Sequence, residues 1–182
     1  MVNFRFPRSR RLPSQKPLRS LPRMDIDLLR SVSLLRDLTD AELDAFAGLL
    51  AVREAKTGDR VLEEGTIVNH LYLVCEGVVH VRRMAQTREV LLNRLIAGAF
   101  FGEINLFDPG TATASIYAMQ TPTRLAVVNY ENLRDFMSTH PDAGYKMVSA
   151  MMTAVCHRLR QTSARLVNTV YWSGGEAAAK PK

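Results

Sequence analysis

Hydrophobic positions divide the chain into a helical beginning, a middle of short β-type runs and a helical end. From Asp25 apolar residues recur at helical spacing in two groups, which are Leu28, Leu29, Val32, Leu34 and Leu35, then Leu43, Phe46, Leu49 and Leu50. Thr39 is followed three residues later by Glu42, the spacing of a capping box, which predicts the start of the second helix. We expect both helices to close one end of a β-core.

Between Glu54 and Asn129 the apolar runs are short, and glycine turns separate them. The runs are Arg60–Leu62, His70–Cys75, Val78–Arg83, Val90–Leu95, Ala114–Met119 and Arg124–Val128. Their spacing is close to the roughly 8–12 residues typical of all-β domains. The pattern predicts a sandwich or a rolled barrel.

The helical period returns after Asn129. It predicts a short helix from Glu131 to about Ser138, and then a long helix from Asp142 to about Val170. Positions on the long helix recur at steps of four and three, as in a heptad seam: Val148, Met152, Val155, Leu159, Thr162, Leu166 and Thr169. Two interpretations stay open. The near half, Val148–Val155, packs on the chain's own β-core, or the seam pairs with a second copy in a parallel homodimer, which we favour for the far half.

Charge is concentrated at the amino end of the 182-residue chain. Residues 1–24 hold seven basic residues, four prolines and no acid, whereas the remainder is nearly neutral despite a net charge of +6. We expect a flexible arm that is either a dispensable extension, with translation beginning at Met24, or a contact for nucleic acid or an anionic surface. No apolar run reaches the roughly 18 residues of a membrane span, and no secretory signal is visible. A cytoplasmic protein is therefore predicted.

Signals of metal binding and catalysis are missing from the sequence pattern. Cys75 and Cys156 lack a metal-like spacing and are expected to be reduced, and the four histidines form no ligand pattern. The chain has no nucleophile elbow and no Walker loop. We predict a non-enzymatic protein without a metal cofactor.

The segment 100–118 is typical of an anion cradle. Gly102 lets the backbone approach a ligand, and Glu103 starts a predicted short helix whose free N–H groups favour anions. Asp108-Pro109-Gly110 predicts a turn before an extended run. From local chemistry alone, a tight β-corner explains these residues equally well.

The segment also carries a family resemblance. Phe-Gly-Glu-Ile-Asn-Leu at 101–106, followed by Thr-Ala-Ser-Ile-Tyr-Ala at 113–118, resembles the phosphate-binding cassette of cyclic-nucleotide-binding domains. Residues 58–65 and 71–81 are similar to the first strands of that family's β-roll.

The resemblance implies an α+β fold that is mainly β. It is a β-roll of the jelly-roll or double-stranded β-helix type, with N-terminal helices and a long C-terminal helix. The expected organisation is a basic Pro-rich arm at 1–24, a helical lead-in and β-roll at 25–141, a dimerisation helix at 142–172 and a flexible tail at 173–182.

The resemblance further implies a ligand site formed by Phe101, Gly102, Glu103, Ile104, Ala112, Thr113, Ala114, Thr162 and Ser163. By carry-over, Glu103 binds a ribose hydroxyl and Thr113 a phosphate oxygen. Residues 158–163 look like the part of the long helix where a Thr-Ser pair, here Thr162 and Ser163, touches the purine across the dimer seam. From its position alone, Thr162 is equally consistent with a polar seam residue that sets the register.

One position departs from the family pattern. The arginine that pairs with the cyclic phosphate falls at Ala112. A charged hydrogen bond contributes about 1.5–3 kcal/mol, so its loss is expected to weaken a cyclic mononucleotide by roughly one to two decades. Arg88, Arg94 and Arg124 are the candidate replacements in the same region.

The expected function is a sensor or regulatory module that binds a cAMP-like cyclic nucleotide or a related phosphate ligand and signals through its dimerising long helix. The alternative is a ligand-free scaffold with a degenerate pocket, which binds a partner protein. In Crp/Fnr-like members a helix-turn-helix follows the long helix, whereas here only residues 173–182 remain. Direct, specific DNA binding is therefore not expected.

Overall fold

The structure is a computed structural model that describes residues 26–177. The helices are α1 Ile26–Arg30, α2 Asp40–Ala47, α3 Glu103–Phe107, α4 Tyr130–Thr139 and α5 Pro141–Ala177. The strands are β1 Ala51–Ala55, β2 Arg60–Leu62, β3 His70–Glu76, β4 Val78–Ala85, β5 Arg88–Ile96, β6 Phe100–Phe101, β7 Ser115–Ala118 and β8 Thr123–Asn129. Within this range, no helix has the length and apolar character to cross a membrane. The predicted arm at 1–24 and the end of the predicted tail, 178–182, lie outside the described residues.

The strands form two four-stranded antiparallel sheets. Their orders are β1-β8-β3-β6 and β2-β7-β4-β5. The predicted fold, mainly β with helices at both ends and a long C-terminal helix, is confirmed. All six predicted strands are present, with ends that differ from the structure by at most two residues.

Two strands were not predicted, and each gives a weak pattern. In β1 only Ala55 is buried, and the sequence of the strand does not alternate between apolar and polar residues. The strand nevertheless pairs with β8 over five positions. Strand β6 has two residues, which pair with Tyr72 and Leu73 of β3. A two-residue strand is too short to show a period.

The central strands β3 and β8 are buried on both faces. Leu71 and Leu73 of β3 contact the helices, whereas Tyr72 and Val74 point into the space between the sheets. This burial explains why β3 is an almost continuous apolar run. Phe100 belongs to the core that includes the helices, and Phe101 to the core between the sheets. Strand β6 therefore lies where these two cores meet.

At the amino end, the predicted capping box is confirmed. The Thr39 N–H donates to a Glu42 carboxylate oxygen at 2.7 Å, and the Glu42 N–H donates to the Thr39 hydroxyl at 3.3 Å. The first predicted helix is too long, because α1 ends at Arg30. The Ser33 N–H donates to the Gly98 carbonyl at 2.9 Å, which turns the chain onto the sheet.

Helix α5 has 37 residues and extends past the predicted end of the dimerisation helix at 172. Gly174 and Gly175 lower helix stability by about 1 kcal/mol each, but they permit helical dihedral angles. The helix packs on its own domain through a stripe that was not predicted. Its members are Ala143, Met147 and Met151, which are buried, and Ala150 and Ala154, which are partly buried.

The predicted seam residues lie one position further round α5, about 100° away. Met152 is 60% exposed, and Val148 and Val155 are 37% exposed each. The interpretation that the near half of the seam packs on the chain's own β-core is therefore wrong. We call the seam side chains Val148, Met152, Val155, Leu159 and Leu166 the outer stripe, because all five are exposed.

Candidate functional site

A cavity of about 250 Å³ lies between the segment 101–114 and helix α5. Eight of the nine predicted site residues line it, namely Phe101, Gly102, Glu103, Ile104, Ala112, Thr113, Ala114 and Thr162. Ser163 is exposed and is not among the lining residues. The structure thus brings together the two distant parts of the predicted site.

Close backbone approach explains why a glycine precedes α3. Gly102 has a φ of +92°, and a Cβ there would lie 2.6 Å from the carbonyl oxygen of His70. Asn105 of α3 donates through its side-chain amide to the Thr111 carbonyl at 3.2 Å. This bond closes the loop after α3 and brings the return segment beside the cavity.

Helix α4 holds the same segment from below. The Tyr130 hydroxyl donates to the Gly102 carbonyl, and Arg134 donates to the Leu106 carbonyl at 2.7 Å. Burial, together with the neighbouring Tyr72 and Glu103, raises the pKa of Tyr130 far above its usual range. The hydroxyl therefore stays protonated and remains a donor at every physiological pH.

Ala112 occupies a fixed position at the cavity wall. Its N–H donates to the Thr66 carbonyl at 2.8 Å, and its carbonyl accepts from the Gly65 N–H at 2.9 Å. The residue is 4% exposed. Ala112 thus lines the cavity from a backbone held by two hydrogen bonds, and its buried methyl group belongs to the domain core.

The cavity contains an ion pair between α3 and α5. Glu103 is 4% exposed, and its Oε1 accepts from Arg158 Nη1 at 2.5 Å. Arg158 Nη2 donates to the Phe100 carbonyl at 2.5 Å, and the guanidinium carbon lies 5.2 Å from the centre of the Phe100 ring. A buried carboxylate requires such a partner. Arg158, which lies beside the predicted seam, is thus the partner of Glu103.

Two further polar residues of α5 complete this wall, Gln161 and Arg165. Arg165 donates to the Leu92 carbonyl of β5. Arg160, on another face of the helix, is exposed. The Thr162 hydroxyl donates to the Arg158 carbonyl one turn earlier, at 2.9 Å.

The three candidate replacements for the missing arginine lie elsewhere. Arg124 pairs with Glu54 and Glu76, at 3.1 Å each. Arg94 lines a neighbouring groove of about 300 Å³, whose wall also includes Arg158, and Arg88 does not line the cavity.

Comparison with known proteins identifies the domain. Residues 52–140 match the family model described as the cyclic nucleotide-binding domain. These residues form a cyclic nucleotide-binding domain. The resemblance seen in the sequence is confirmed.

Three relatives illustrate the match. The chain is 31% identical over 103 residues to the cAMP-dependent protein kinase type II regulatory subunit of Drosophila melanogaster, covering 57% of this chain and 27% of that protein. It is 25% identical over 146 residues to the CRP-like cAMP-activated global transcriptional regulator of Mycobacterium tuberculosis, covering 80% and 63%. The crystal structure of the Thermus thermophilus catabolite activator protein superposes with a TM-score of 0.66 at 25% identity, covering 76% and 63%. The chain thus spans less than two thirds of these proteins.

The cavity of this cyclic nucleotide-binding domain combines apolar and polar lining residues. Leu62, Val81, Leu95 and Ile116 are among the apolar ones. Glu103, Asn93, Gln161 and the two arginines of α5 supply the polar groups. Such a cavity suits a ligand with one flat apolar part and one charged part. Among residues 26–177, no group of three His, Cys, Asp or Glu side chains is arranged to hold a metal.

Sequence reasoning missed Arg158, because the signal for it depends on which stripe of α5 is buried. The buried positions Met147, Met151 and Ala154 are spaced by four and three residues, and four further residues lead to Arg158. A charged residue that continues an apolar stripe points toward the domain. Asn93, Gln161 and Arg165 carried no comparable signal.

Proposed function

We propose that residues 26–177 form a non-enzymatic sensor that binds a cyclic nucleotide, or a related phosphate ligand, and signals through α5. One observation carries the proposal. The cavity lined by the predicted cassette has a wall that belongs to α5, and the Arg158–Glu103 pair joins the two across it. A ligand in this cavity therefore contacts the helix that transmits its presence.

The chemistry of the cavity supports this class of ligand. Glu103 has a carboxylate suited to accept from a ribose hydroxyl, and the hydroxyl of Thr113 suits a phosphate oxygen. The volume of about 250 Å³ is near the lower end of the roughly 300–1,000 Å³ of ligand pockets. A mononucleotide is favoured over a dinucleotide. The relatives named for cAMP support the same choice.

Affinity is expected to be modest because Ala112 supplies no charge. The loss of one charged hydrogen bond, about 1.5–3 kcal/mol, corresponds to roughly one to two decades in the dissociation constant.

We further propose that two copies pair through the outer stripe as a parallel dimer. Side chains of this stripe are exposed apolar groups at heptad spacing, such as Leu159 and Leu166 at 65% and 63% exposure. The neighbouring stripe of α5, about 100° away around the helix axis, is buried in its own domain. A small shift of the helix at the cavity then changes the dimer contact, which is how helix packing transmits ligand state.

The proposal is tested by isothermal titration of the chain with cAMP, cGMP and cyclic di-GMP, with 5′-AMP as the non-cyclic control. We expect heat with at least one cyclic mononucleotide, weaker binding of cyclic di-GMP, and loss of binding in Glu103→Ala. The Ala112→Arg variant should bind at least about tenfold more tightly. Absence of heat with all three ligands, in wild type and in Ala112→Arg, overturns the proposal.

The second candidate is a ligand-free scaffold for a partner protein. The Arg158–Glu103 pair favours it, because the pair balances the buried charge without any ligand. It predicts an unchanged melting temperature with every nucleotide, together with stable co-purification of one partner. A ligand-dependent rise in melting temperature rules it out.

A further inference from the structure

We infer that Arg158 neutralises the ligand's phosphate in place of the residue at 112, so that the charge of the ligand is bound by α5 rather than by the cassette. This inference rests on the proposed function and names the residue on which it depends.

The charged side chains of the cavity are unevenly distributed between its two walls. Among the described residues that line it, the positively charged ones are Arg158 and Arg165, and both belong to α5. Glu103 is the negatively charged one. The segment that carries Ala112 contributes no cation. A phosphate that enters this cavity therefore finds its opposite charge on the helix.

The two arginines of the cavity differ in how far they are exposed to solvent. Arg158 has a side chain 28% exposed, held over the Phe100 ring and against Glu103. Arg165 is exposed, and its guanidinium donates to the Leu92 carbonyl at the outer edge of the cavity. A charge held in partly buried surroundings is screened less by water than an exposed one. Arg158 is thus the main phosphate group, and Arg165 adds a weaker attraction.

Arg158 has more N–H donors than its contacts within the protein use. A guanidinium has five N–H donors in a planar fork, and the hydrogen bonds to Glu103 and to the Phe100 carbonyl use two of them. The remaining donors suit phosphate oxygens in two-pronged geometry. Arg158 is able to keep Glu103 in place for a ribose hydroxyl while it binds the phosphate, so the two charged ends of the site act as one unit.

Phosphate binding by Arg158 has a consequence for the proposed signalling through α5. In a site whose phosphate residue lies in the cassette, helix and ligand charge are connected indirectly. Here the strongest polar contact of the ligand is made by α5 itself, from the residue immediately before Leu159 of the outer stripe. Phosphate binding and the position of the helix are therefore coupled at a single residue.

The test is a double-variant titration with cAMP on the full chain. Arg158→Gln is expected to weaken cAMP by about ten- to a hundredfold, and Arg165→Gln by less. Arg160→Gln removes the same charge from an exposed position of the same helix and is expected to leave affinity unchanged. In an Ala112→Arg background, Arg158→Gln should cost only a few-fold, because the new arginine takes the phosphate.

The outcomes separate the two proposals. If wild type binds cAMP and Arg158→Gln binds it equally well, the inference is overturned while the proposed function stands. If Arg158→Gln costs the same factor with and without Ala112→Arg, Arg158 only orients Glu103, which also overturns it. If wild type and Ala112→Arg bind no cyclic nucleotide, the proposed function fails and the inference with it.

A folding defect in Arg158→Gln is controlled by a second comparison. That variant leaves the buried Glu103 carboxylate without its partner, so its circular dichroism and melting temperature are measured first. If it unfolds, Glu103→Gln and the double variant Glu103→Gln with Arg158→Gln are compared instead, since neither leaves a buried carboxylate without its partner. The double variant should bind cAMP at least about tenfold more weakly than Glu103→Gln, and equal binding overturns the inference.

Discussion

Lys146 of α5 donates to both carboxylate oxygens of Glu42 on α2, at 3.1 and 2.8 Å. The same carboxylate accepts the N–H of Thr39 at the start of α2. One side chain therefore both begins a helix and ties it to the start of α5. Because α5 also forms part of the cavity wall, this contact fixes the near end of that helix on the domain.

Loss of Lys146 is expected to change how stability depends on pH. The hydrogen bond from Lys146, with those from Thr39, lowers the pKa of Glu42 below 4.5. A carboxyl whose folded pKa is lowered stabilises the protein above its unfolded pKa and loses that effect as the pH falls through the folded pKa. Lys146→Met should therefore lower the melting temperature at pH 7 and have less effect in strong acid.

The control is Lys56→Met, which removes the same charge from an exposed turn. Thermal unfolding is followed from pH 7 down to pH 3. Equal pH profiles for the two variants contradict the assigned contact.

Neighbouring methionines of α5 should respond differently to the same substitution. Met151 is 1% exposed in the domain core, whereas Met152 is 60% exposed on the outer stripe. Met151→Ala is expected to lower the free energy of unfolding by about 2–5 kcal/mol through cavity formation. Met152→Ala should change it by less than about 0.5 kcal/mol in dilute, monomeric protein. Urea unfolding measures the free energy of unfolding of both variants. Similar losses would mean that α5 does not turn Met151 toward the core and Met152 away from it.

Gly102→Ala is expected to disrupt the segment that lines the cavity. Gly102 and Gly58 both have positive φ, +92° and +89°, but a Cβ at 58 meets nothing within 4 Å. Gly58→Ala therefore measures backbone strain alone, about 1–2 kcal/mol. Gly102→Ala adds the contact with the His70 carbonyl, so its loss should exceed that of Gly58→Ala by at least about 1 kcal/mol. Urea titrations that give equal losses would contradict the close approach.

Charged substitutions on the outer stripe should separate the proposed dimer. Leu159→Glu or Leu166→Glu places a carboxylate where apolar side chains are expected to meet, so sedimentation equilibrium should show monomers. Arg160→Glu, beside the stripe, is the control and should leave the association constant within a few-fold. Wild type that is monomeric at all tested concentrations, or dimers that tolerate Leu159→Glu, would exclude pairing through this stripe.

Local motifs explain how much of the site was predictable. The residues from Phe101 to Ala114 are contiguous, so their pattern specifies both the cassette and its place beside the cavity. The capping box of Thr39 and Glu42 is local in the same way. Arg158 is different, because it meets Glu103 55 residues away and only through the rotation of α5.

That rotation was not readable from the sequence. Met147 and Met151 form one apolar stripe and Val148 and Met152 another, at the same spacing and with similar side chains. Only packing against the domain core, which includes α4, determines which stripe is buried. Strands β1 and β6 were missed for a related reason, since their pairing depends on neighbours in the sheet and not on their own composition.

Arg158 and Leu159 are consecutive, so the cavity wall and the outer stripe are separated by one step of about 100° around the helix axis. A turn of α5 about its axis would withdraw the guanidinium from Glu103 and redirect Leu159 at the same time. A slide by one full turn, about 5.4 Å, would instead preserve which residues face inward. Under the proposed function, rotation of α5 would therefore change the contacts in the cavity and the position of the outer stripe together.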